Sequence, residues 1–199
     1  ALIGPVAGPA PAAGDPGPIQ RGSDATVEAA GTSHFVVWDR AGNVISMTTT
    51  VESLFGSGRA VGGFMLNNQL TDFSFRPVVD GAPVANAVVA GKRPRSSMAP
   101  VIVLDAAGRA VAALGSPGGS AILAYNAKAL VGLLAWRLPL QEAINLPNVI
   151  ARGEETFGEA PKLAPGVLDA LAARGVVVKP GRGEESGLHG VVLHAGGRL

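Results

Sequence analysis

The sequence has no cysteine among its 199 residues. Disulfide bridges, cysteine nucleophiles and thiolate metal sites are therefore excluded. Charged residues are also few, at 16%, and the net charge is only +1, so no strong electrostatic field favours nucleic acid or an anionic membrane as a partner. The one basic cluster, residues 92–95, is too short to indicate a nucleic-acid site.

Histidines and long apolar runs are scarce as well. The three histidines, His34, His189 and His194, match no zinc-binding spacing, so we expect neither a metal nor a cofactor. No apolar run is long enough to span a bilayer, and no signal peptide opens the chain. The chain begins without Met and in linker-like sequence, which favours the carboxy-terminal piece of a longer precursor.

The composition that is present predicts one folded region after a linker. Apolar residues make up 47% of the chain, and the 28 glycines and 15 prolines predict many turns. Residues 1–31 are rich in Pro, Gly and Ala and have few large side chains to bury, so they are predicted to be a linker. Residues 32–199 are predicted to form the folded region, truncated at its carboxy terminus because its last predicted strand has no hairpin partner.

Two β-hairpins are predicted from one repeated pattern of apolar runs joined by an Asp/Gly turn. The first turn contains Asp39 and Gly42, and the second contains Asp105 and Gly108. In each turn Asp can accept hydrogen bonds from the backbone, and Gly supplies a positive φ. A weaker third copy begins at residue 189.

Helices are predicted between the second and third hairpin patterns. Residues 119–135 are apolar nearly all round, which predicts a buried helix. Pro139 and Pro165 are each predicted to open a shorter helix, and Gly175 is predicted to end the second of these. Strands followed by helices and then by strands favour an α+β fold of layered sheets and helices over an alternating parallel fold.

Thr32 lies at the junction between the predicted linker and the first strand. If the chain were cut after Gly31, Thr32 would carry both a hydroxyl nucleophile and a basic α-amine. Such an amine has a pKa of roughly 7.7–8.0, so part of it is free to accept a proton near neutral pH. The alternative is that Thr32 simply begins a strand, as Thr often does.

Two polar segments follow the first hairpin. Thr48 and Thr50 share one strand face, so one of their hydroxyls can approach Thr32; an ordinary exposed hydroxyl face is the alternative. Residues 66–73 place Asn67, Asn68, Gln69 and Asp72 close together, a set that suits an amino-acid head group or a plain turn.

Two further motifs precede and follow the second hairpin. Ser96 and Ser97 can donate hydrogen bonds to a carboxylate, or cap a turn. Gly118 and Gly119 leave bare backbone N–H groups at the start of a helix, where they can form an oxyanion hole. The alternatives for this turn are a helix cap by Ser116 and a phosphate cradle.

Together these motifs resemble the small subunit of γ-glutamyltransferases, over about residues 25–199. The motifs occur in the family's order, and they are T-S-H at 32–34, T-T-T ending at 50, L-N-N-Q-x-x-D-F at 66–73, K-R-P-x-S-S-M at 92–98 and G-S-P-G-G-S at 115–120. The resemblance implies an N-terminal-nucleophile hydrolase fold, an αββα four-layer sandwich. It also implies a proenzyme that cuts itself between Gly31 and Thr32 and forms a heterodimer with the preceding large subunit.

The resemblance also implies a role for each residue of the site. Thr32 attacks the γ-carbonyl of glutathione or another γ-glutamyl compound, and the glutamyl group passes to water, an amino acid or a peptide. Thr50 hydrogen-bonds the nucleophile and supports maturation. The remaining implied roles are oxyanion donation by Gly118 and Gly119, ammonium binding by Glu52, Gln69 and Asp72, and α-carboxylate binding by Ser96 and Ser97. The preceding subunit supplies an arginine for that carboxylate, and members of the family are usually exported or at the cell surface.

Two departures from the family pattern bear on function. Ser33 occupies the second position of the signature, and the segment 72–88 contains no Tyr or Trp to close a lid. We therefore expect an open pocket that favours hydrolysis. The alternative functions are an acylase of the same fold, acting on glutaryl-type β-lactam side chains, and an unprocessed binding or scaffold relative.

Overall fold

The computed structural model describes residues 31–152, 155–181 and 186–193. The described chain falls into two compact units. Residues 31–123 and 186–193 belong to the larger unit, and residues 124–152 and 155–181 to the smaller one. The predicted linker lies outside the described residues except for Gly31.

Strands and helices both occur, as an α+β fold requires. In chain order the strands are β1 (Thr32–Trp38), β2 (Val44–Thr50), β3 (Ala60–Val61), β4 (Phe64–Met65), β5 (Val78–Val79), β6 (Ala82–Pro83), β7 (Val101–Leu104), β8 (Ala110–Gly115), β9 (Val149–Arg152), β10 (Glu155–Gly158), β11 (Val178–Pro180) and β12 (His189–Val192). The α-helices are α1 (Ile122–Leu130), α2 (Leu140–Asn145) and α3 (Val167–Ala172). Short 3-10 turns cover Gln69–Asp72, Gly119–Ala121 and Ala160–Lys162, and a π-helical turn covers Val131–Ala135.

The first predicted hairpin is confirmed. β1 pairs antiparallel with β2, with Thr32 opposite Thr50 and Trp38 opposite Val44. Asp39 Oδ1 accepts hydrogen bonds from the N–H groups of Ala41 and Asn43, both at 2.9 Å. The Asn43 side chain, followed by the turn N–H groups, holds the pKa of Asp39 below its usual value, because these donors favour the ionised carboxylate.

The second hairpin repeats that arrangement. β7 pairs with β8, and Asp105 Oδ1 accepts from the N–H groups of Ala107 and Arg109 at 2.9 Å each. Gly108 has a φ of 77°, as its turn requires. The third copy also forms its strand, since β12 pairs with β8 and gives the sheet order β12-β8-β7.

The core of the larger unit lies where these two sheets face each other. β2 contacts β8, and β1 contacts both β8 and β12. The residues of β8 that supply this core, Ala112, Ala113 and Leu114, are at most 2% exposed. Ser46 also donates a hydrogen bond across the interface to the carbonyl oxygen of Leu114, at 3.2 Å. Two packed antiparallel sheets of this kind hold their loops in fixed positions at the sheet ends.

The long helix differs from its prediction in two ways. Residues 119–135 form a 3-10 turn, α1 and a π-helical turn in succession, and Leu123, Val131 and Leu134 are exposed. The predicted burial therefore holds for only part of the helix surface, where Ile122, Tyr125 and Ala129 are buried. An apolar surface shows only that burial would be favourable, and the described residues do not cover every side of this helix.

The two shorter helices lie near their predicted positions. Pro139 is the N-cap of α2 and does not lie in its first turn. α3 begins at Val167, after Gly166, and Gly175 ends its last turn with a φ of 82°.

The sequence analysis missed the three-stranded sheet β11-β10-β9 of the smaller unit. None of the described helices is long and apolar enough to cross a membrane.

Candidate active site

The hydroxyl of Thr50 lies at the peptide bond that precedes Thr32. Thr50 Oγ1 donates a hydrogen bond to the carbonyl oxygen of Gly31 at 3.0 Å and accepts one from the N–H of Glu52 at 2.8 Å. Because the N–H of Glu52 occupies an acceptor position on this oxygen, the single hydroxyl hydrogen is directed at Gly31. The Gly31–Thr32 carbonyl is therefore polarised by a donor that is already fixed in place.

Thr48 has a different partner. Its Oγ1 lies 2.9 Å from Nδ1 of His34, two residues along β1 from Thr32. The shared face of Thr48 and Thr50 is confirmed, and it is Thr50 that stands opposite Thr32. The alternative of an exposed hydroxyl face is wrong for this pair, because neither residue is exposed.

Gly31 itself is fixed by close packing. A Cβ atom added at Gly31 would lie 1.9 Å from the backbone oxygen of Glu52, a distance that no side chain tolerates. Glu52 adopts a φ of 76°, which is unusual for a residue with a side chain. Position 31 therefore admits only glycine unless the Glu52 backbone moves.

Glu52 is nine-tenths buried and lines the same cleft as Thr32. It is 8% exposed, and its Oε2 accepts hydrogen bonds from Ser53 Oγ, at 2.9 Å, and from Nδ2 of Asn68. Asn68 also accepts from the N–H of Ser53 and donates to Thr71. These bonds hold the Glu52 side chain in one orientation at the edge of the cleft.

The amide-rich segment 66–73 divides its residues between structure and site. Asn67 accepts from the N–H of Gln69 at 3.1 Å, and Asn68 binds Glu52, so these two residues hold the turn. Gln69 and Asp72, at the two ends of the 3-10 turn, line the cleft. The turn interpretation therefore holds for Asn67 and Asn68, while Gln69 and Asp72 are the candidates for binding a head group.

Asn86 holds the two walls of the cleft at a fixed spacing. It is 5% exposed, its Nδ2 donates to the carbonyl oxygen of Asp72 at 2.6 Å, and its Oδ1 accepts from the N–H of Arg95 at 2.9 Å. Its own carbonyl oxygen accepts from Ser74 at 3.0 Å. One buried side chain thus links the backbone of Asp72, on one wall of the cleft, with the backbone of Arg95, which precedes Ser96 on the other wall. The wall that carries Asp72 is called the acidic wall below.

Ser96 and Ser97 face the same cleft. Ser96 Oγ also accepts a hydrogen bond from the N–H of Met98 at 3.2 Å, which is the local turn role considered for it. This bond occupies an acceptor position and leaves the hydroxyl hydrogen of Ser96 for another partner.

The glycine turn departs from the helix-cap alternative. The N-cap position is Gly118, with a φ of 128°, and Gly119 follows with a φ of 54°. Ser116 caps nothing, because its fully buried hydroxyl donates to the carbonyl oxygen of Pro117 at 2.6 Å and accepts from the N–H of Gly187. Within the described residues, the N–H groups of Gly118 and Gly119 have no acceptor.

The buried ring of His34 fixes the strand that leads into this turn. A Cβ at Gly115 would lie 2.2 Å from Cε1 of His34, so the imidazole packs directly on the end of β8. Burial, and secondarily the charge of His189, lowers the pKa of His34 below 6.5. A neutral imidazole that bonds Thr48 therefore connects the Thr32 strand to the Gly118–Gly119 turn.

These residues converge on one open cleft. The lining residues are Thr32, Thr50, Glu52, Gln69, Asp72, Arg95, Ser96, Ser97, Met98, Gly119 and Ile122. Every residue to which the family resemblance gives a role lines the cleft except Gly118, which precedes Gly119 in the turn.

Sequence reasoning missed Arg95, Met98, Ile122 and Asn86. Arg95 and Met98 lie inside the K-R-P-x-S-S-M motif, so their closeness to the two serines was the available signal. Asn86 gave no such signal in the sequence, because its role depends on which two loops it joins.

Among the described residues, no group of three His, Asp or Glu side chains could hold a metal ion.

Comparison with known proteins agrees with this geometry. The sequence model of the gamma-glutamyltranspeptidase family matches residues 7–198. The glutathione hydrolase proenzyme of Bacillus subtilis (strain 168) is 36% identical over 176 residues, which is 83% of this chain and 29% of that protein. The Acylase ACY 1 proenzyme of Pseudomonas sp. (strain SE83) is 35% identical over 179 residues, covering 86% of this chain and 30% of that protein.

A solved structure shows the same fold. An acivicin-inhibited gamma-glutamyltranspeptidase matches with a TM-score of 0.71 and 30% identity, over 81% of this chain and 90% of that one. The predicted fold class, that of the N-terminal-nucleophile hydrolases, is thereby confirmed. The chain spans about 29% of the length of the curated relatives it matches.

Proposed function

This chain belongs to the γ-glutamyltranspeptidase family, and from that premise we propose that it carries the catalytic threonine of a γ-glutamyltransferase or glutathione hydrolase. Thr32 is the nucleophile, released by autocleavage of the Gly31–Thr32 bond. The observation that carries this proposal is the Thr50 hydroxyl, 3.0 Å from the carbonyl oxygen of that bond.

Maturation begins with attack by Thr32 Oγ on the carbonyl carbon of Gly31. Negative charge develops on the Gly31 oxygen, and the Thr50 hydroxyl stabilises it. The C–N bond breaks as the proton lost by Thr32 Oγ passes to the nitrogen, and Gly31 is left as an ester on Thr32. Water then hydrolyses the ester, which leaves a carboxylate on Gly31 and a free α-amine on Thr32.

Turnover uses the groups that this cleavage liberates. The α-amine accepts the proton of Thr32 Oγ as the oxygen attacks the γ-carbonyl of the donor. The N–H groups of Gly118 and Gly119 donate to the resulting oxyanion, each contributing roughly 2.7–4 kcal/mol of transition-state stabilisation. The amine proton passes to the leaving nitrogen, and water or an amine acceptor then takes the glutamyl group from Thr32.

The rest of the cleft suits a zwitterionic head group. Glu52, Gln69 and Asp72 bind the α-ammonium of the donor as hydrogen-bond acceptors, two of them charged. Ser96 and Ser97 donate to the α-carboxylate. The acidic and hydroxyl walls face one cleft, which supports an amino-acid head group as the recognised element.

We place a second subunit, derived from the same precursor, against this chain. Apolar residues on the outer face of the β1–β2 sheet support that partner, because Phe35, Val37, Ile45 and Met47 are 40–53% exposed. A contiguous exposed apolar face of this kind is typical of an interaction surface. The resemblance also implies that this subunit supplies an arginine for the α-carboxylate.

An acylase that removes glutaryl-type side chains is the second candidate, favoured by the likeness to the ACY 1 proenzyme. It would use the same nucleophile and oxyanion donors. A glutaryl group has no α-ammonium, however, and the carboxylates of Glu52 and Asp72 in the cleft favour a donor that has one.

The test uses the full-length precursor and its Thr32→Ala variant, with Ser33→Ala as the matched control on the exposed side of β1. We expect the wild type and Ser33→Ala to split into two fragments, the second beginning at Thr32, and to release p-nitroaniline from γ-glutamyl-p-nitroanilide. Thr32→Ala should remain one band and be inactive. A wild-type chain that stays intact on prolonged incubation supports the scaffold alternative, and faster turnover of glutaryl-p-nitroanilide supports the acylase.

A further inference from the structure

Arg95 introduces a positive charge into an otherwise acidic and hydroxyl-lined cleft. Among the described residues that line it, Arg95 is the one cation, while Glu52 and Asp72 are the anions. Arg95 directly precedes Ser96 and Ser97 in sequence, so its side chain arises on the same wall as their hydroxyls.

The backbone of Arg95 is held independently of its side chain. Its N–H donates to Oδ1 of the buried Asn86 at 2.9 Å, and the other end of that amide donates to the carbonyl oxygen of Asp72. Asn86 therefore keeps Arg95 at a fixed spacing from the acidic wall. Replacing the guanidinium leaves this backbone hydrogen bond in place.

The chemistry of the guanidinium suits a carboxylate ligand. It carries five N–H donors in a planar fork, so it can keep a protein partner and still bind a carboxylate through two parallel hydrogen bonds. The two serine hydroxyls beside it supply neutral donors only. A cation at this position adds charge selectivity that the serines lack.

We propose that Arg95 is a substrate-binding residue that recognises the α-carboxylate of the γ-glutamyl donor, together with Ser96 and Ser97. The proposal rests on the proposed function of this cleft. Arg95 would be a residue of this chain that recognises the negative charge of the α-carboxylate, in addition to the arginine implied for the preceding subunit. Donors with a neutral α-substituent gain nothing from it.

The experiment compares two chromogenic donors on the mature full-length enzyme. One is γ-glutamyl-p-nitroanilide, and the other is the same anilide with its α-carboxylate converted to a carboxamide. For Arg95→Gln we expect KM for the carboxylate donor to rise about tenfold, as for a charge-assisted hydrogen bond at a solvent-open site, with kcat little changed. KM for the carboxamide donor should be unchanged.

Arg93→Gln is the matched control, and Arg95→Lys tests geometry. Arg93 lines a neighbouring groove and not the cleft, so its loss should leave both KM values as in the wild type. Arg95→Lys keeps the charge without the planar fork and should recover part of the lost affinity.

The outcomes separate the two levels of the proposal. Equal KM changes for both donors, or none for either, with an active wild type, overturn the role of Arg95 while the proposed function stands. A matured wild type that hydrolyses neither anilide overturns the proposed function and the role of Arg95 with it.

Discussion

We expect one hydroxyl group, that of Thr50, to determine how readily the bond before Thr32 breaks. Thr50 donates to the Gly31 oxygen and is itself held by the N–H of Glu52. Loss of a single preorganised oxyanion donor slows acyl transfer about 10²- to 10³-fold. We therefore expect Thr50→Ala to slow autocleavage by that factor, and Thr50→Ser, which keeps the hydroxyl, to cleave at nearly the wild-type rate.

A time course of precursor cleavage on gels measures this effect. Thr49→Ala is the matched control, because Thr49 is the neighbouring hydroxyl on the exposed face of β2. Cleavage of Thr50→Ala at the wild-type rate would contradict the role given to this hydroxyl.

The buried ring of His34 makes stability depend on pH. Burial lowers its pKa below the ordinary value of 6.5, so below about that pH the unfolded chain takes up a proton that the folded chain does not. Stability contributed by the neutral ring is therefore present above pH 6.5 and is lost as pH falls toward the lower folded pKa. We expect the thermal midpoint of the wild type to fall between about pH 7.5 and about pH 5.5, and that of His34→Gln to fall less.

Calorimetry of the mature enzyme at the two pH values tests this expectation. Asp39→Asn is the control. Because the pKa of Asp39 is lowered from 3.8, the stability that its carboxylate contributes is lost only in more acidic solution, so this variant should show the same fall in thermal midpoint as the wild type. A His34→Gln variant whose midpoint falls as far as that of the wild type would show that another group causes the pH dependence.

At the scale of elements, Asn86 joins two loops that would otherwise vary in spacing. Its amide satisfies the carbonyl of Asp72 and the N–H of Arg95, and loss of a partner for a buried polar group costs about 1–3 kcal/mol. We expect Asn86→Leu to lower the free energy of unfolding by that amount. We also expect it to raise KM for γ-glutamyl-p-nitroanilide about tenfold, because the wall that carries Asp72 and the wall that carries Ser96 would move apart.

Steady-state kinetics and denaturant unfolding measure the two effects. Asn145→Leu supplies the control, since Asn145 is an exposed amide at the end of α2. A variant that loses stability with KM unchanged would make Asn86 a folding residue without influence on the site.

The hairpins were predictable because each is specified locally. Asp and Gly at fixed offsets determine the turn, and alternation determines the strand faces, so both hairpins and the strand of the third copy formed as expected. The sheet β11-β10-β9 was missed because β11 pairs parallel to β10 from about twenty residues away. Long-range pairing of that kind leaves no periodic signal in a short strand.

The site was predictable as a set of residue types and less so as a set of partners. Gln69 and Asp72 were expected at the cleft and lie there, but adjacent Asn68 binds Glu52 instead. Spacing alone does not distinguish these roles, because each depends on which loop folds opposite. For the same reason the sequence did not predict Arg95 at the cleft. Its position there depends on the hydrogen bond from its N–H to Asn86.

At the scale of the whole molecule, we expect the segment that follows Asp72 to control access to the cleft, because Asp72 lines that cleft. It forms the small β5–β6 hairpin, with Phe73 buried and Phe75 82% exposed, and it contains neither Tyr nor Trp. No aromatic hydroxyl or indole from this segment can close over an acyl-enzyme. In an acyl-enzyme formed on Thr32, water at its bulk concentration would then compete well with an amine acceptor for the acyl group.

We therefore expect the mature full-length enzyme to favour hydrolysis over transfer. With γ-glutamyl-p-nitroanilide and glycylglycine, glutamate should remain the main product, and added glycylglycine should raise the rate of p-nitroaniline release only slightly. Replacing Phe75 by Tyr, with Phe64→Tyr on the β3–β4 hairpin as the control, tests whether the segment itself is responsible: only the first change should shift products toward γ-glutamyl-glycylglycine. Predominant transfer by the wild type, with almost no free glutamate, would mean that another part of the protein shields the acyl-enzyme from water.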